Sequence, residues 1–294
     1  MPAAPTFVEI AVEPKSPFDR HVLREIVLGV IDQDARASST EDAETGQVIL
    51  RATDERHLRA LVAAVSVRIG EKIVFGSPQV AYREAFERAA KADYAHKKHV
   101  GPAYQFGRVI MKIDPGPRGS GVHFSNAAEP ENLPFEYVSA IEQGVFDVAA
   151  TGIFMGFPIV DFTATLIDAA YHDIDSSAFA FRMAARGAVR LAGEMAGIKL
   201  LEPVMQVSIL TRPHWREQVE QNLVRRRAII RETSEQSIVL ASVPLASLFG
   251  FEDELMELTG GEASVAMLWD RYTEMPSTPT DPDDTIPAAA AFRA

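Results

Sequence analysis

Ala169-Ala170-Tyr171-His172-Asp173-Ile174-Asp175-Ser176-Ser177-Ala178-Phe179-Ala180-Phe181 is the stretch on which the reading of this chain turns. It follows a β-rich segment, Asp161 to Ile167, and runs into Ala178-Phe179-Ala180-Phe181-Arg182-Met183, which reads as a helix. Asp175, Ser176 and Ser177 are good helix N-cap residues, because a short side-chain oxygen can accept an orphan N–H of the first turn. A strand and a capped helix therefore hold out a polar loop at Tyr171-His172-Asp173. A polar tip on a rigid stem points to contact with a partner.

Working outward, the N-terminal block reads βαββαβ. Phe7 to Val12 alternates as a strand. Ser16-Pro17-Phe18-Asp19 starts a helix with a cap, a first-turn proline and an acid. Phe18, Val22, Ile26 and Val30 give that helix an apolar face. Glu44-Thr45-Gly46-Gln47 is a turn before the strand Val48-Ile49-Leu50. Thr53-Asp54 caps a second helix with Leu58, Leu61, Val62 and Val65 inside, and Lys72 to Phe75 is the last strand. This order is a ferredoxin-like split βαβ.

The middle block has extended segments at Gln79–Glu87, Gly107–Ile113, Val122–Phe124 and Ile159–Ile167. A helix opens at Leu133-Pro134-Phe135-Glu136, and an alanine-rich helix runs from Phe179 to Met195. From Leu201 the first pattern repeats: a strand to Val207, a helix over Pro213–Arg227, a hairpin of Ile229-Ile230 with Ile238-Val239-Leu240, a helix over Ala246–Leu258 and a strand over Ala263–Tyr272. Ser277 to Ala294 has no apolar period and reads as a flexible tail.

These residues carry a resemblance. Tyr171 to Ser177 followed by a small and aromatic helix is similar to the tip of domain IV of bacterial elongation factor G, the translocation GTPase. Ile10-Ala11-Val12-Glu13-Pro14-Lys15, Glu44-Thr45-Gly46-Gln47, His57-Leu58 and Gly76 to Glu84 resemble its domain III. Gly119-Ser120-Gly121, Glu136-Tyr137-Val138 and Gly156 to Asp161 resemble domain IV. Leu201-Glu202-Pro203, Leu223, Arg225-Arg226-Arg227, Val243-Pro244-Leu245 and Leu248-Phe249-Gly250 resemble domain V. The resemblance implies an α+β chain in which two ferredoxin-like βαββαβ domains, 7–78 and 201–276, flank a ribosomal-protein-like α/β domain, 79–200, with a tail over 277–294.

It also implies translation as the setting, with binding near the ribosomal A site and decoding centre through Tyr171, His172 and Asp173. The second loop of the tip is expected over Val100 to Gly107, where Gln105 and Gly107 fit the family and Pro102, Ala103 and Tyr104 depart from it. Ribosomal RNA and A-site transfer or messenger RNA are the implied contacts, and a GTPase or another protein is a further partner. For His172 with Asp173 and Asp175, a metal or acid–base role, an ordinary capped loop and an RNA contact are three readings. No second His or Glu stands at ligand spacing, so no metal site is expected.

Lys97 and Lys98, between His96 and His99, read either as phosphate contacts or as a solvated edge. Arg225, Arg226 and Arg227 read as phosphate contacts or as cations complementing a helix C-terminus. Glu55-Arg56-His57 reads as coupling to a GTPase domain or as a helix start with a packed histidine. The family's usual Thr-Gln-Gly-Arg-Ala is Thr259-Gly260-Gly261-Glu262-Ala263 here, an arginine replaced by an acid.

Composition limits the alternatives. The 294 residues carry a net charge of −12, with an acidic excess of about −5 over 201–276; this argues against a simple nucleic-acid sleeve, which is usually basic. There is no cysteine, hence no disulfide and no thiolate metal site, which suits a reducing cytoplasm. No apolar run approaches the roughly 18 residues needed to cross a bilayer, and Met1 to Thr6 carries no export signal. No G-x-x-x-x-G-K-[ST] occurs, so no backbone nest for a triphosphate is expected. The chain is expected to be no enzyme and to need no cofactor, with GTP relevant only where GTPase and β-barrel domains are supplied. A free-standing paralogue is expected over an excised piece, and a non-ribosomal scaffold that binds a protein is the alternative function.

Overall fold

The computed structural model describes residues 6–16, 20–41, 47–100, 103–128, 133–231 and 237–276. The expected turn at 44–46, the helix start at 17–19 and the tail at 277–294 lie outside these. The chain divides into two compact units, Met1–Ala81 with Glu202–Thr273, and Tyr82–Leu201 with the residues from Glu274 on.

The first unit holds two α+β sheets of the same design. Strands β1 (Val8–Pro14), β2 (Ser38–Glu41), β3 (Val48–Ala52) and β4 (Ile73–Phe75) alternate with helices α1 (Arg20–Ile31) and α2 (Glu55–Ile69). The sheet order is β2-β3-β1-β4, with a short strand β5 (Gln79–Val80) pairing β1. Its observed pairings are antiparallel, so this is the split βαβ expected from the alternation. Leu23, Val27 and Val30 of α1 and Leu58, Leu61 and Val65 of α2 are buried, the i, i+3, i+4 spacing that presents one helix face to a sheet. Asp54 caps α2 by accepting from the His57 N–H at 2.8 Å, as expected.

The second sheet of this unit has strands β11 (Ile198–Leu210), β12 (Ile229–Arg231), β13 (Ile238–Pro244) and β14 (Ser264–Glu274), in the order β12-β13-β11-β14, with helices α5 (Arg216–Arg225) and α6 (Phe251–Leu258). The helix expected over Ala246–Leu258 is broken. Leu245–Leu248 is a 3₁₀ turn, and Gly250 at φ 72° starts α6 afresh; the left-handed backbone there suits glycine. Arg59 pairs with Asp253 at 2.8 Å, and the Gly250 N–H donates to Glu55 at 2.9 Å. Phe7 stacks on Trp269 with centroids 5.1 Å apart.

In the second unit β6 (Arg83–Phe86) precedes a hairpin of β7 (Ala90–Val100) and β8 (Ala103–Pro115). Strand β9 (Val122–Asn126), helix α3 (Phe135–Thr151), strand β10 (Phe162–Ala170) and helix α4 (Ala178–Ala196) complete it. The sheet runs β7-β8-β10-β9, antiparallel except for the parallel β10–β9 pair that α3 connects. Ala180, Ala184, Ala185, Ala188, Ala192 and Ala196 of α4 are fully buried, so small side chains let the helix lie close on the sheet. At Gly187 an added Cβ would stand 2.2 Å from the Tyr94 ring, and at Gly144 2.5 Å from the Arg182 carbonyl oxygen.

Strand β10 begins later than expected. Asp161, at φ 59°, makes a turn in which its carboxylate accepts from the Gly121 N–H at 3.0 Å. Asp147 of α3 accepts a two-pronged hydrogen bond from Arg182 of α4, at 2.6 and 2.7 Å. That bond holds the Asp147 carboxyl below its ordinary range. A depressed carboxylate stabilises the fold above its unfolded pKa, and the contribution disappears as pH falls through the folded value. Asp147→Asn should therefore lower the melting temperature at neutral pH and lose its effect well below about pH 3.9, as thermal melts at the two pH values would read.

Candidate functional site

The stretch at 171–177 folds as a pinned tip. Ser177 is the N-cap of α4, its hydroxyl accepting from the Ala180 N–H at 3.2 Å. Asp175 and Ser176, expected as caps too, do a different job. The Ser176 hydroxyl donates to the Phe106 carbonyl at 2.8 Å and accepts from the His172 N–H at 2.9 Å. The Ser176 N–H donates to the His172 carbonyl at 3.0 Å, and the Phe106 N–H to the Asp175 carbonyl at 2.9 Å. Geometry explains the change: a helix needs one capping side chain at one position, and the two residues before it sit beside β8. The loop is thus tied to the β7/β8 hairpin through backbone groups.

The tie leaves the tip itself outside. Tyr171, His172, Asp173 and Ile174 are exposed, Ile174 at 86%. The His172 ring is oriented by Asp175, not by its neighbour Asp173: Nδ1 lies 3.1 Å from the Asp175 carboxylate. The i, i+3 spacing folds the loop back where adjacent residues would point apart. Tyr171 packs near Tyr137 with centroids 6.0 Å apart, and Tyr137 stacks on Phe181 at 4.7 Å. Burial first, then the neighbouring Glu136 charge, raises the Tyr137 phenol above its ordinary value. Among the described residues no group of three His, Cys, Asp or Glu is placed to hold a metal ion.

The second loop is shorter than expected. Residues 103–107 belong to β8, so Tyr104, Gln105, Phe106 and Gly107 are strand residues, and only Gly101 and Pro102, outside the described residues, separate the two strands in sequence. The register pairs Lys98 with Gln105, Lys97 with Phe106 and His96 with Gly107. Because side chains alternate along a strand, Lys97 and Lys98 point to opposite faces; both are exposed. Gln105 shares a face with His96, whose Nε2 lies 3.3 Å from its amide oxygen. Gly107 is a packing position: a Cβ there would come within 3.2 Å of the Ala180 backbone. The structure thus brings Tyr171, His172 and Asp173 together with Gln105, Gly107 and Lys97 on one end of the unit.

Sequence reasoning missed Glu84. It is fully buried, and its carboxylate accepts from five consecutive backbone N–H groups, Ile153 to Phe157, at 2.7 to 3.2 Å. An acid in a strand with Ala85 and Phe86 buried beside it is the one available signal.

The arginine triplet does not form an open cationic patch. The Arg226 guanidinium pairs with Glu254 at 2.6 Å, donates to the Ser247 carbonyl at 2.6 Å and lies 5.4 Å over the Phe251 ring. Arg227 makes a two-pronged pair with Glu202 at 3.0 and 2.8 Å. Two of the three phosphate contacts expected there are thus engaged inside the unit, and Arg225 alone is exposed. His57, read as a coupling residue or a packed one, is buried between Thr53 and Asp34, with Nε2 3.0 Å from the Asp34 carboxylate.

Comparisons with known proteins agree with this architecture. Residues 78–197 match the family described as Elongation factor G, domain IV, and residues 199–282 match Elongation factor G C-terminus. The chain is similar to Elongation factor G of Anaplasma marginale (strain Florida), 36% identical over 277 residues that span 93% of this chain and 40% of that relative. It is equally similar to Elongation factor G of Paracoccus denitrificans (strain Pd 1222), 36% identical over 277 residues, 93% of this chain and 39% of the relative. A crystal structure of a Thermus thermophilus protein superposes with a TM-score of 0.71 at 29% identity, covering 94% of this chain and 42% of the other. The chain spans about 40% of the length of the curated relatives it matches. Through its domain IV and C-terminal regions, the chain belongs to the elongation factor G family.

Proposed function

We propose that the chain acts in translation in the cytoplasm, binding the ribosome near the A site and decoding centre through the tip at Tyr171, His172 and Asp173. The observation that carries this reading is the pinning of that loop to the hairpin. Ser176 and Asp175 fix the backbone, Asp175 orients the imidazole, and the exposed side chains need little further ordering on contact. A histidine so placed can hydrogen-bond a phosphate or stack on a base, and Lys97, Lys98, Gln105 and Gly107 stand on the adjoining hairpin. On this reading the domain that carries the tip is the stretch 79–200, and the family match over residues 78–197 supports it. On this reading the chain binds and does not catalyse, and it takes no cofactor of its own. A GTPase partner would supply GTP, and ribosomal RNA with A-site transfer or messenger RNA are the contacts.

Co-sedimentation with bacterial ribosomes at low salt should recover the chain in the pellet. Recovery should fall with added salt, as phosphate contacts do, and His172→Ala should weaken binding about tenfold or more, the size of one charge-assisted hydrogen bond. A chain that stays in the supernatant at low salt overturns the reading.

One observation favours a second reading, a scaffold that binds a protein away from the ribosome. Arg226 and Arg227 are engaged by Glu254 and Glu202, which leaves the acidic C-terminal region few cations for RNA. Recovery of protein partners without RNA in a pull-down would favour it.

A further inference from the structure

The unit of Met1–Ala81 with Glu202–Thr273 contains a cavity of about 80 Å³. A water molecule takes about 30 Å³ of liquid volume, so the space suits a group of a few heavy atoms. Its floor is apolar: Leu245 and Leu248 are buried, and Phe249 and Met267 are partly so. Its rim is charged. The N-terminal ends of α2 and α6 meet there and bring Asp54, Glu55, Arg56 and Arg59 against Glu252 and Asp253.

Most of those charges are already matched. Arg59 donates to Glu55 at 2.7 Å and to Asp253 at 2.8 Å. The other Glu55 oxygen accepts from the Gly250 N–H at 2.9 Å. Asp54 accepts from the His57 N–H at 2.8 Å and from the Thr53 hydroxyl at 2.9 Å. Glu252 is the exception. It is partly buried, and among the described residues no hydrogen bond or ion pair reaches it. Burial raises its carboxyl above the ordinary carboxylate value; Arg56 opposes the rise without pairing, and the charges of Asp54, Glu55 and Asp253 add to it. Four carboxylates and two guanidiniums line the cavity, and the unmatched negative charge centres on Glu252.

We propose that this cavity binds a small organic cation, a primary ammonium on a short aliphatic stem, with the ammonium at Glu252 and the stem over Leu248, Phe249 and Met267. Such a floor removes the apolar surface of the stem from water, and the ammonium supplies the charge-assisted hydrogen bond that Glu252 lacks. A bare divalent ion is disfavoured. Hard cations take six or more oxygen ligands, and among the described residues no group of three His, Cys, Asp or Glu is placed to hold a metal ion. An anion is disfavoured because Asp54 and Glu55 already accept from the N-terminal ends of α2 and α6. A free aliphatic amine and a lysine side chain share the required chemistry. The cavity lies outside the unit that carries the tip, so its test stands apart from that of the proposed function.

The probe is n-butylammonium, titrated into the whole chain labelled with ¹³C at its methionine methyls, with Met267 as the reporter. A saturable shift of the Met267 methyl with a Kd on the order of 1 mM is expected, within what so small a ligand can supply. Glu252→Gln should weaken binding about tenfold or more, the size of one charge-assisted hydrogen bond. Arg56→Gln removes the cation that competes for Glu252 and should tighten binding about twofold or more. Glu142→Gln, at an exposed acid of the other unit, is the charge-matched comparison and should leave binding unchanged. Circular dichroism confirms that each variant is folded. A Gly-Lys-Gly peptide with blocked ends separates the two sources. Binding as tight as that of n-butylammonium assigns the cavity to a lysine side chain, and weaker binding assigns it to a free amine. The proposal is overturned by absence of a saturable Met267 shift, or by an equal shift with ammonium chloride, which has no stem. It is equally overturned by a Glu252→Gln effect no larger than that of Glu142→Gln, or by weaker binding to Arg56→Gln.

Discussion

Replacing Glu84 by alanine is expected to be the most damaging single change in the Tyr82–Leu201 unit, lowering its stability by about 3–5 kcal/mol and its melting temperature by on the order of 15 °C. The expectation follows from what the carboxylate does. Residues 153–157 close the connection between α3 and β10, and their five N–H groups converge on its two oxygens. A backbone that turns this tightly has no ladder partner for those donors, and buried donors without acceptors cost about 1–3 kcal/mol each. The loss is smaller than five such costs because the loop can open and hydrate some of them. Glu84→Gln isolates the cause. It keeps the volume but replaces one acceptor by an NH₂ group that faces other N–H donors, so it should lose more than half of what Glu84→Ala loses. Equilibrium urea unfolding of both variants decides this: a loss below about 1 kcal/mol for Glu84→Ala would show that solvent serves the loop as well as the carboxylate does. The chain's own geometry argues otherwise, since Glu84 also exchanges backbone hydrogen bonds with Pro158 and Val160, leaving little room for water.

The residues legible in the sequence share one property: their signal is local. Leu58, Leu61 and Val65 repeat at helical spacing, and Asp54 and Ser177 cap helices within three residues. The two βαββαβ orders follow from such local signals alone. Strand β7 is not legible, because its inward positions, Ala92, Tyr94 and His96, are small or polar. Ala92 is inward because Gly187 and the alanines of α4 bring that helix close, and that fact lies about a hundred residues away. The same holds at the tip. Tyr171 to Asp173 can be read as a presented loop, but the role of Ser176 depends on Phe106 of another strand, and the strand character of Tyr104 to Gly107 depends on pairing with β7. Glu84 and Arg227 are the extreme cases. Charged residues read as surface because unpaired charges avoid the interior, and nothing within a few positions of either announces its distant partner.

That distinction gives the arginine triplet a sharp test. Arg227→Ala should cost about 3–5 kcal/mol, the usual penalty for stranding one member of a buried ion pair, whereas Arg225→Ala should fall within about 0.5 kcal/mol of the parent. Glu202 is 2% exposed, and both its oxygens are taken by the Arg227 fork. Removal of the fork leaves a carboxylate with neither solvent nor a cation. Lysine does not replace it, because an ammonium cannot make the two parallel bonds of a planar guanidinium; Arg227→Lys should lose a large part of the same energy. Removing both partners separates pairing from packing. Arg227→Met with Glu202→Leu should recover much of the loss, since an apolar pair of similar volume carries no desolvation penalty. If Arg227→Ala proved as mild as Arg225→Ala in guanidinium unfolding, the pair would contribute nothing to the fold and the triplet would again be open to a phosphate role. If it is severe while ribosome binding by the folded Arg227→Lys protein is unchanged, the Arg227 guanidinium serves the sheet β12-β13-β11-β14, and the RNA contact of the proposed function would have to come from other cations such as Arg225.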